Sequence, residues 1–215
     1  MEGLPINAKI IALTDTEFQT LISFVYKKYG IDLSKKKQLI EGRLHSTLKS
    51  HGFSSFSEYL ALLESDKTGT ELTNFLNKIT TNYSYFSREN EHFDYLASTV
   101  LPELVGTRHG DLRIWSAGCS AGQEAYNMAM AIDQFFGYRK SEWDATILAT
   151  DISMSVLEQA KAGIYPEDNI KGIPPHWRTA YFDNLGDGRF QVKEKIRNEV
   201  VFRIFNLMDS FVYKK

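Results

Sequence analysis

The hydrophobic positions of this chain change their period once, near residue 110. Before that point they recur at helical steps. Phe18, Leu21, Ile22, Val25, Tyr26 and Tyr29 follow steps of three and one behind Thr14 and Glu17, a capping-box pair, and Gly30 stops the run. Ser34 is expected to open a second helix with Leu39, Ile40, Leu44 and Leu48 on one face, lysines and Arg43 on the other, and Gly52 at its end. A third helix is expected near residues 55–63. A fourth carries Leu72, Phe75, Leu76 and Ile79, and Phe93, Leu96, Val100, Leu101 and Leu104 mark a fifth.

From Leu112 the texture becomes strand, helix, strand, helix. The apolar runs 112–117, 145–150 and 200–205 read as parallel strands, with helices at 123–136 and 154–161 between them. Residues 163–198 interrupt this rhythm with Tyr165-Pro166, a short helix near 175–182 and a Gly-Asp-Gly turn at 186–188 between strand-like runs, the pattern of a small antiparallel insert. The expected organisation is an α/β chain in three parts: an all-helical domain over 1–80, a linker and lid over 81–105, and a Rossmann-like sheet domain over 106–215 with the insert at 163–198. Insertions of this kind more often serve recognition than core folding.

Composition narrows the class. With 215 residues, 43% of them hydrophobic and 13% aromatic, the chain can bury a sizeable core. No apolar run approaches the roughly eighteen residues of a membrane span, and the N-terminus lacks a basic start leading into an apolar core, so a soluble, cytoplasmic protein with no membrane insertion is expected. The lone cysteine, Cys119, cannot form an internal disulfide and reads as a small packing residue. The five histidines show no metal-ligand spacing, so no metal site is expected. The net charge of −2 hides an asymmetry, because residues 27–49 carry seven basic and two acidic side chains. Such a run is more often a solvated helix face than a site; its functional reading is docking to an acidic partner. Overall acidity and the lack of a base-reading motif argue against nucleic acid.

The candidate chemistry is concentrated in three places. Residues 113–132 pass from strand into a loop with Gly118 and Gly122 and straight on into a helix. This is how nucleotide-like ligands are held, although an ordinary α/β turn looks the same. No Gly-Lys-Ser/Thr follows Gly122, and the spacing is not Gly-x-Gly-x-x-Gly. Glu124 stands where a phosphate would otherwise be welcome and suits a cationic ligand, such as the ammonium of S-adenosylmethionine. Asp151, directly after the second strand, can accept hydrogen bonds from a ribose diol or cap the next helix, and Asn206-Leu207 ends the third strand. Residues 80–89 pack hydroxyls, an amide, three aromatics and Arg88 between two helices, which fits a capping loop or a lid whose arginine steers a carboxylate.

Taken in this order, these segments resemble the CheR family of chemotaxis receptor methyltransferases over essentially the whole chain. The matching residues are Gly30-Ile-Asp-Leu-Ser34, the basic second helix, Thr80-Thr-Asn82 through Phe86 to Arg88, Trp115 to Tyr126, Ala149-Thr-Asp-Ile152, Ala162-Gly-Ile-Tyr165 and Phe205-Asn-Leu207. The resemblance implies transfer of a methyl group from S-adenosylmethionine to glutamate side chains of membrane chemoreceptors, releasing S-adenosylhomocysteine. It implies Asn82, Ser84, Arg88, Glu124, Asp151, Asn206 and Leu207 as cofactor-binding residues, with Arg88 also orienting the substrate carboxylate as the catalytic residue. It further implies docking of the receptor's cytoplasmic helices on the basic helix 35–50.

Departures accompany the likeness. Gly122-Gln-Glu-Ala-Tyr126 replaces the usual Gly-Glu-Glu-Pro-Tyr, and Ser84 and Ser87 replace threonine and phenylalanine. The family continues into a fourth strand carrying an Arg-Asn pair, so the sheet is expected to be C-terminally truncated, with the strand 112–117 open at one edge. Self-association through that edge, and a non-catalytic receptor- or partner-binding module as the alternative to the enzyme, are the matching expectations. The basic helix argues against a small-molecule substrate.

Overall fold

A computed structural model describes residues 11–80, 84–107 and 110–211. The chain divides into two compact units, one of residues 1–81 with 207–215 and the other of residues 82–206.

The first unit is helical. Helix α1 (Asp15–Tyr29) begins with the capping box: the Glu17 amide donates to Thr14 Oγ1 (3.2 Å), the Thr14 amide donates to Glu17 Oε2 (3.0 Å), and Gly30 closes the helix in the left-handed conformation at φ 67°. Glu17 also uses its other oxygen, accepting from the Ser57 amide at 2.8 Å, so one carboxylate joins the starts of α1 and α3 (Phe56–Ser65). Helix α2 (Lys37–Ser50) starts three residues later than expected from Ser34. The reason is local: Asp32 accepts from the Ser34 amide at 2.9 Å, and this turn uses the backbone that would have formed the first helical turn. Leu44, Leu48 and Ile40 on α2 are fully buried with Leu21 and Val25 of α1, Phe56 and Tyr59 of α3 and Phe75 of α4 (Thr70–Ile79). After the second unit's last strand the chain returns here. The Met208 sulfur lies 2.7 Å from where a Cβ on Gly30 would stand, a contact the flexible Met208 side chain can relieve, so it is the left-handed φ of the α1 cap that calls for glycine.

The second unit begins its regular structure with α5 (Glu91–Tyr95), a π-helical turn (Leu96–Val100) and α6 (Leu101–Thr107), which run on from one another where a single fifth helix was expected. The π turn has an identifiable cause. Pro102 has no amide to give and its ring would crowd the carbonyl four residues back, and the chain widens so that the Leu101 amide reaches the Leu96 carbonyl.

Three parallel strands follow the predicted rhythm: β1 (Ile114–Ala117), β2 (Ile147–Asp151) and β6 (Val200–Ile204), in the order β1-β2-β6. Ile114 pairs with Ile147 and Ala117 with Thr150; on the other side Asp151 pairs with Ile204. Each strand starts within two residues of its apolar run. Helix α7 (Gln123–Phe136) connects β1 to β2 through a 3-10 turn at 137–142, and α8 (Met154–Ala162) follows β2. The insert forms its own antiparallel sheet from β3 (Ile164–Pro166), β4 (Phe182–Asn184) and β5 (Arg189–Val192), ordered β3-β5-β4, with short helices α9 (Glu167–Ile170), α10 (Pro175–Tyr181) and α11 (Glu194–Arg197). The insert packs onto α7: the Trp177 indole donates to Gln134 at 2.7 Å, and Lys195 pairs with Asp133 at 3.0 Å.

No helix among the described residues is long and apolar enough to cross a membrane. No metal-holding group of His, Cys, Asp or Glu occurs among them either.

Candidate functional site

The loop between β1 and α7 is held by the strand beside it. The Gly118 and Cys119 amides both donate to the Thr150 carbonyl, each at 2.8 Å, so the turn out of β1 is fastened to the end of β2. Gly118 has φ 77° with open space where a Cβ would be, leaving room at the carboxyl end of β1. Gly122 is the opposite case. At φ 90°, a Cβ there would meet Ala160 Cβ at 2.9 Å and Phe202 Cζ at 3.1 Å, so this glycine lets α7 pack closely against α8 and β6. One glycine opens a cradle and the other closes the packing behind it.

Two carboxylates stand at this loop. Asp151 accepts from the Ser120 amide on one oxygen and from the Ser153 amide on the other, both at 2.9 Å. Its orientation is thereby fixed, and each oxygen has a second lone pair. The cap of α8 is Ser153, whose hydroxyl accepts from the Val156 amide at 3.4 Å; Asp151 is left to shape the loop. Glu124 lies exposed in the first turn of α7, where a helix N-terminus favours negative charge. The buried Ser116 hydroxyl donates to it at 2.6 Å. Sequence reasoning missed Ser116. Its only signal is its place two residues before Gly118 on a strand whose neighbours alternate in burial.

The buried Cys119 thiol reports the local field. Burial pushes it up to about 12, and the negative charges of Asp151 and Glu124 both add to the rise. The thiol stays protonated, in keeping with a packing residue. The same field suits a ligand with positive charge and disfavours a phosphate. This is the fit expected for the sulfonium and ammonium of S-adenosylmethionine. Helix α7 starts on Gly122 with no side-chain cap, consistent with a loop whose backbone faces a ligand.

The other sequence-predicted residues are placed as follows. The Ser84 carbonyl accepts from the Gln123 side chain at 3.4 Å, which brings this segment to the start of α7. Phe86 is fully buried and meets Tyr165 and Phe182 edge-on, with centroids 4.9 and 5.3 Å apart, so the 84–88 segment is anchored in the core. Arg88 is half-exposed, with its guanidinium 3.8 Å from Glu89. The Phe205 amide donates to the Asp151 carbonyl at 3.0 Å, which sets Asn206 just beyond the end of β2. Leu207 belongs to the helical unit and is exposed. Asn82 lies outside the described residues. Thus Ser84, Glu124, Asp151 and Asn206 are linked through the loop and its neighbouring strand end.

Residues 82–215 match the family model described as CheR methyltransferase, SAM binding domain, and residues 16–80 match CheR methyltransferase, all-alpha domain. The chain belongs to the CheR methyltransferase family. It is 45% identical over 205 residues to the chemotaxis protein methyltransferase of Borreliella burgdorferi, covering 93% of this chain and 72% of that one. It is 37% identical to chemotaxis protein methyltransferase 1 of Pseudomonas aeruginosa, over 94% of this chain and 75% of the relative. With the Escherichia coli chemotaxis protein methyltransferase the identity is 34%, over 92% and 68% of the two chains. As a CheR methyltransferase the chain is an S-adenosylmethionine-dependent enzyme, and the glycine loop lies within its cofactor-binding domain.

Proposed function

We propose that this chain methylates glutamate side chains of membrane chemoreceptors, giving γ-methyl esters, on the cytoplasmic side of the membrane. The observation that carries this reading is the pair of carboxylates, Glu124 and Asp151, each oriented by hydrogen bonds of the fold beside the open Gly118 turn.

In this reading Asp151 accepts hydrogen bonds from the ribose hydroxyls and Glu124, held by Ser116, pairs with the ammonium group. Asn82 and Ser84 close the site from the preceding segment, and Asn206 and Leu207 contact the base. Arg88 binds the cofactor edge and orients the substrate carboxylate through a charge-assisted hydrogen bond. When bound, S-adenosylmethionine supplies a methyl group activated by its sulfonium. A glutamate carboxylate is already ionised at neutral pH, so the chain needs no general base and contributes positioning. The buried Phe86 behind the loop anchors the 84–88 segment in the core.

Residues 1–80 form the docking domain in this proposal, 81–105 the linker and lid, and 106–215 the cofactor domain with its insert at 163–198. Of the basic residues on and before α2, Lys37 is paired with Asp15 at 2.6 Å. Arg43 donates to the Lys78 and Thr80 carbonyls, each at 3.0 Å, and so secures the end of α4. The exposed Lys35, Lys36 and Lys49 are left to meet the acidic receptor helices. Reversing these three charges to glutamate should lower receptor methylation about tenfold at low salt while leaving the Kd for S-adenosylhomocysteine within about twofold. Titration calorimetry and radiolabelled methyl transfer to receptor-containing membranes measure the two. Failure of the unmodified chain to bind S-adenosylhomocysteine at millimolar concentration would overturn the reading.

A further inference from the structure

We infer that Tyr165 is a positioning residue for the cofactor loop, tying the antiparallel insert to the peptide that leads into Gly122. The inference rests on the cofactor reading above.

Tyr165 lies on β3 of the insert, opposite Phe190 of β5, and is 3% exposed. Its hydroxyl donates to the Ala121 carbonyl at 2.5 Å. That carbonyl belongs to the peptide between Ala121 and Gly122, whose orientation sets the direction of the first turn of α7 and with it Gln123 and Glu124. Gly122 is where α7 comes closest to α8 and β6, since a Cβ there would meet Ala160 and Phe202. The Tyr165 bond adds a restraint on the peptide that leads into this close approach.

The ring is itself held. Phe86 meets it at 89° with centroids 4.9 Å apart, and the Phe86 amide donates to the Asn169 carbonyl of the insert at 3.2 Å. One buried side chain thus joins the loop, the 84–88 segment and the insert. Buried phenols in this packing stay protonated across the working range, because burial raises both Tyr165 and Tyr126 well above the ordinary tyrosine range.

Tyr126 offers a matched control within the same molecule. It is fully buried and donates to a carbonyl at 2.6 Å, but its acceptor is Ala160 near the end of α8. Tyr165→Phe and Tyr126→Phe each remove one buried hydroxyl and keep the ring, so general loss of stability should be similar, whereas only the first frees the loop.

The test is titration calorimetry with S-adenosylhomocysteine on both variants, alongside their melting midpoints and amide exchange without ligand. Tyr165→Phe should raise Kd about tenfold, the effect of one buried acceptor left unsatisfied, and should speed exchange of the amides at 118–122. Tyr126→Phe should leave Kd within about twofold and those amides unchanged. In the unmodified chain, S-adenosylhomocysteine should protect the β3 amides as well as the loop. An unchanged Kd in Tyr165→Phe, weakening of both variants in step with their melting midpoints, or ligand protection confined to the loop would each overturn the inference. Absence of binding by the unmodified chain would overturn the cofactor reading itself, which separates the two failures.

Discussion

In the helical unit side chains close the starts of α1, α3 and α4 while α2 starts without one, whereas the main helix of the α/β unit starts on a bare glycine beside two carboxylates. Thr14 and Glu17 cap α1, Ser55 caps α3, and Asp66 accepts from the Gly69, Glu71 and Leu72 amides ahead of and within the first turn of α4. Each of these polar groups is used within the fold. At α7, Gly122 supplies no cap, and Glu124 is exposed and accepts from the Ser116 hydroxyl. In the proposed reading, the difference separates polar groups that stabilise structure from those that meet the cofactor. The same residue types occur in both units: Glu17 and Asp66 close helix starts, whereas Glu124 is exposed in a first turn and Asp151, engaged by the Ser120 and Ser153 amides, leaves the α8 cap to Ser153.

The contrast can be broken most directly at Asp151. Although two backbone amides engage it, the proposed reading has it bind the ribose, and Asp151→Ala should raise the Kd for S-adenosylhomocysteine on the order of 100-fold, reflecting loss of hydrogen bonds to a charged group. A change below about threefold by calorimetry would make it a purely structural residue like Asp66. A smaller effect is expected at Ser116. Ser116→Ala leaves Glu124 in place but unrestrained, and should weaken binding about threefold to tenfold, with the pattern of the loss limited to ligands that carry the ammonium group.

The opposite expectation applies to Asp66. Hydrogen bonds from the Thr68 hydroxyl and from the Leu72, Thr68 and Glu71 amides outweigh desolvation and lower its carboxyl to about 2. A folded value below the ordinary one, about 3.9, means its stabilisation is complete above that pH and disappears as the pH falls towards 2. Asp66→Ala should therefore lower the melting midpoint of the helical unit at pH 7, and the gap from the unmodified chain should close between pH 4 and 2. Circular dichroism follows this directly. Binding of S-adenosylhomocysteine should stay within about twofold, the smallest effect of the three.

Much of the fold was legible because local rules act over a few residues. The capping box at Thr14, the stop at Gly30 and the strand-to-helix junction at Gly118 to Gln123 all occur where periodicity and turn chemistry placed them. The late start of α2 shows where such reasoning slips, since Ser34 is a good helix opener but the adjacent Asp32 captures its amide. The π turn before Pro102 shows a second limit. Helical periodicity reports the face of a helix and not the hydrogen-bond step that holds it.

The candidate site divides along the same line. Glu124 and Asp151 can be read from the sequence because each sits at a fixed offset from a strand end and a glycine. Tyr165 and the anchoring of Phe86 cannot, since their partners lie 44 and 79 residues away and only packing of the insert brings them together; the Ser116 bond to Glu124 forms only once the whole turn from β1 into α7 is made. The sequence by itself determined the order of elements, the family and the two carboxylates, because these depend on local spacing and residue type. The tertiary structure alone decided which glycine opens a cradle and which is crowded, which lysines and arginines are consumed, and which tyrosine reaches the loop. Those outcomes depend on which distant groups meet once apolar surface is buried, and no local pattern encodes that meeting.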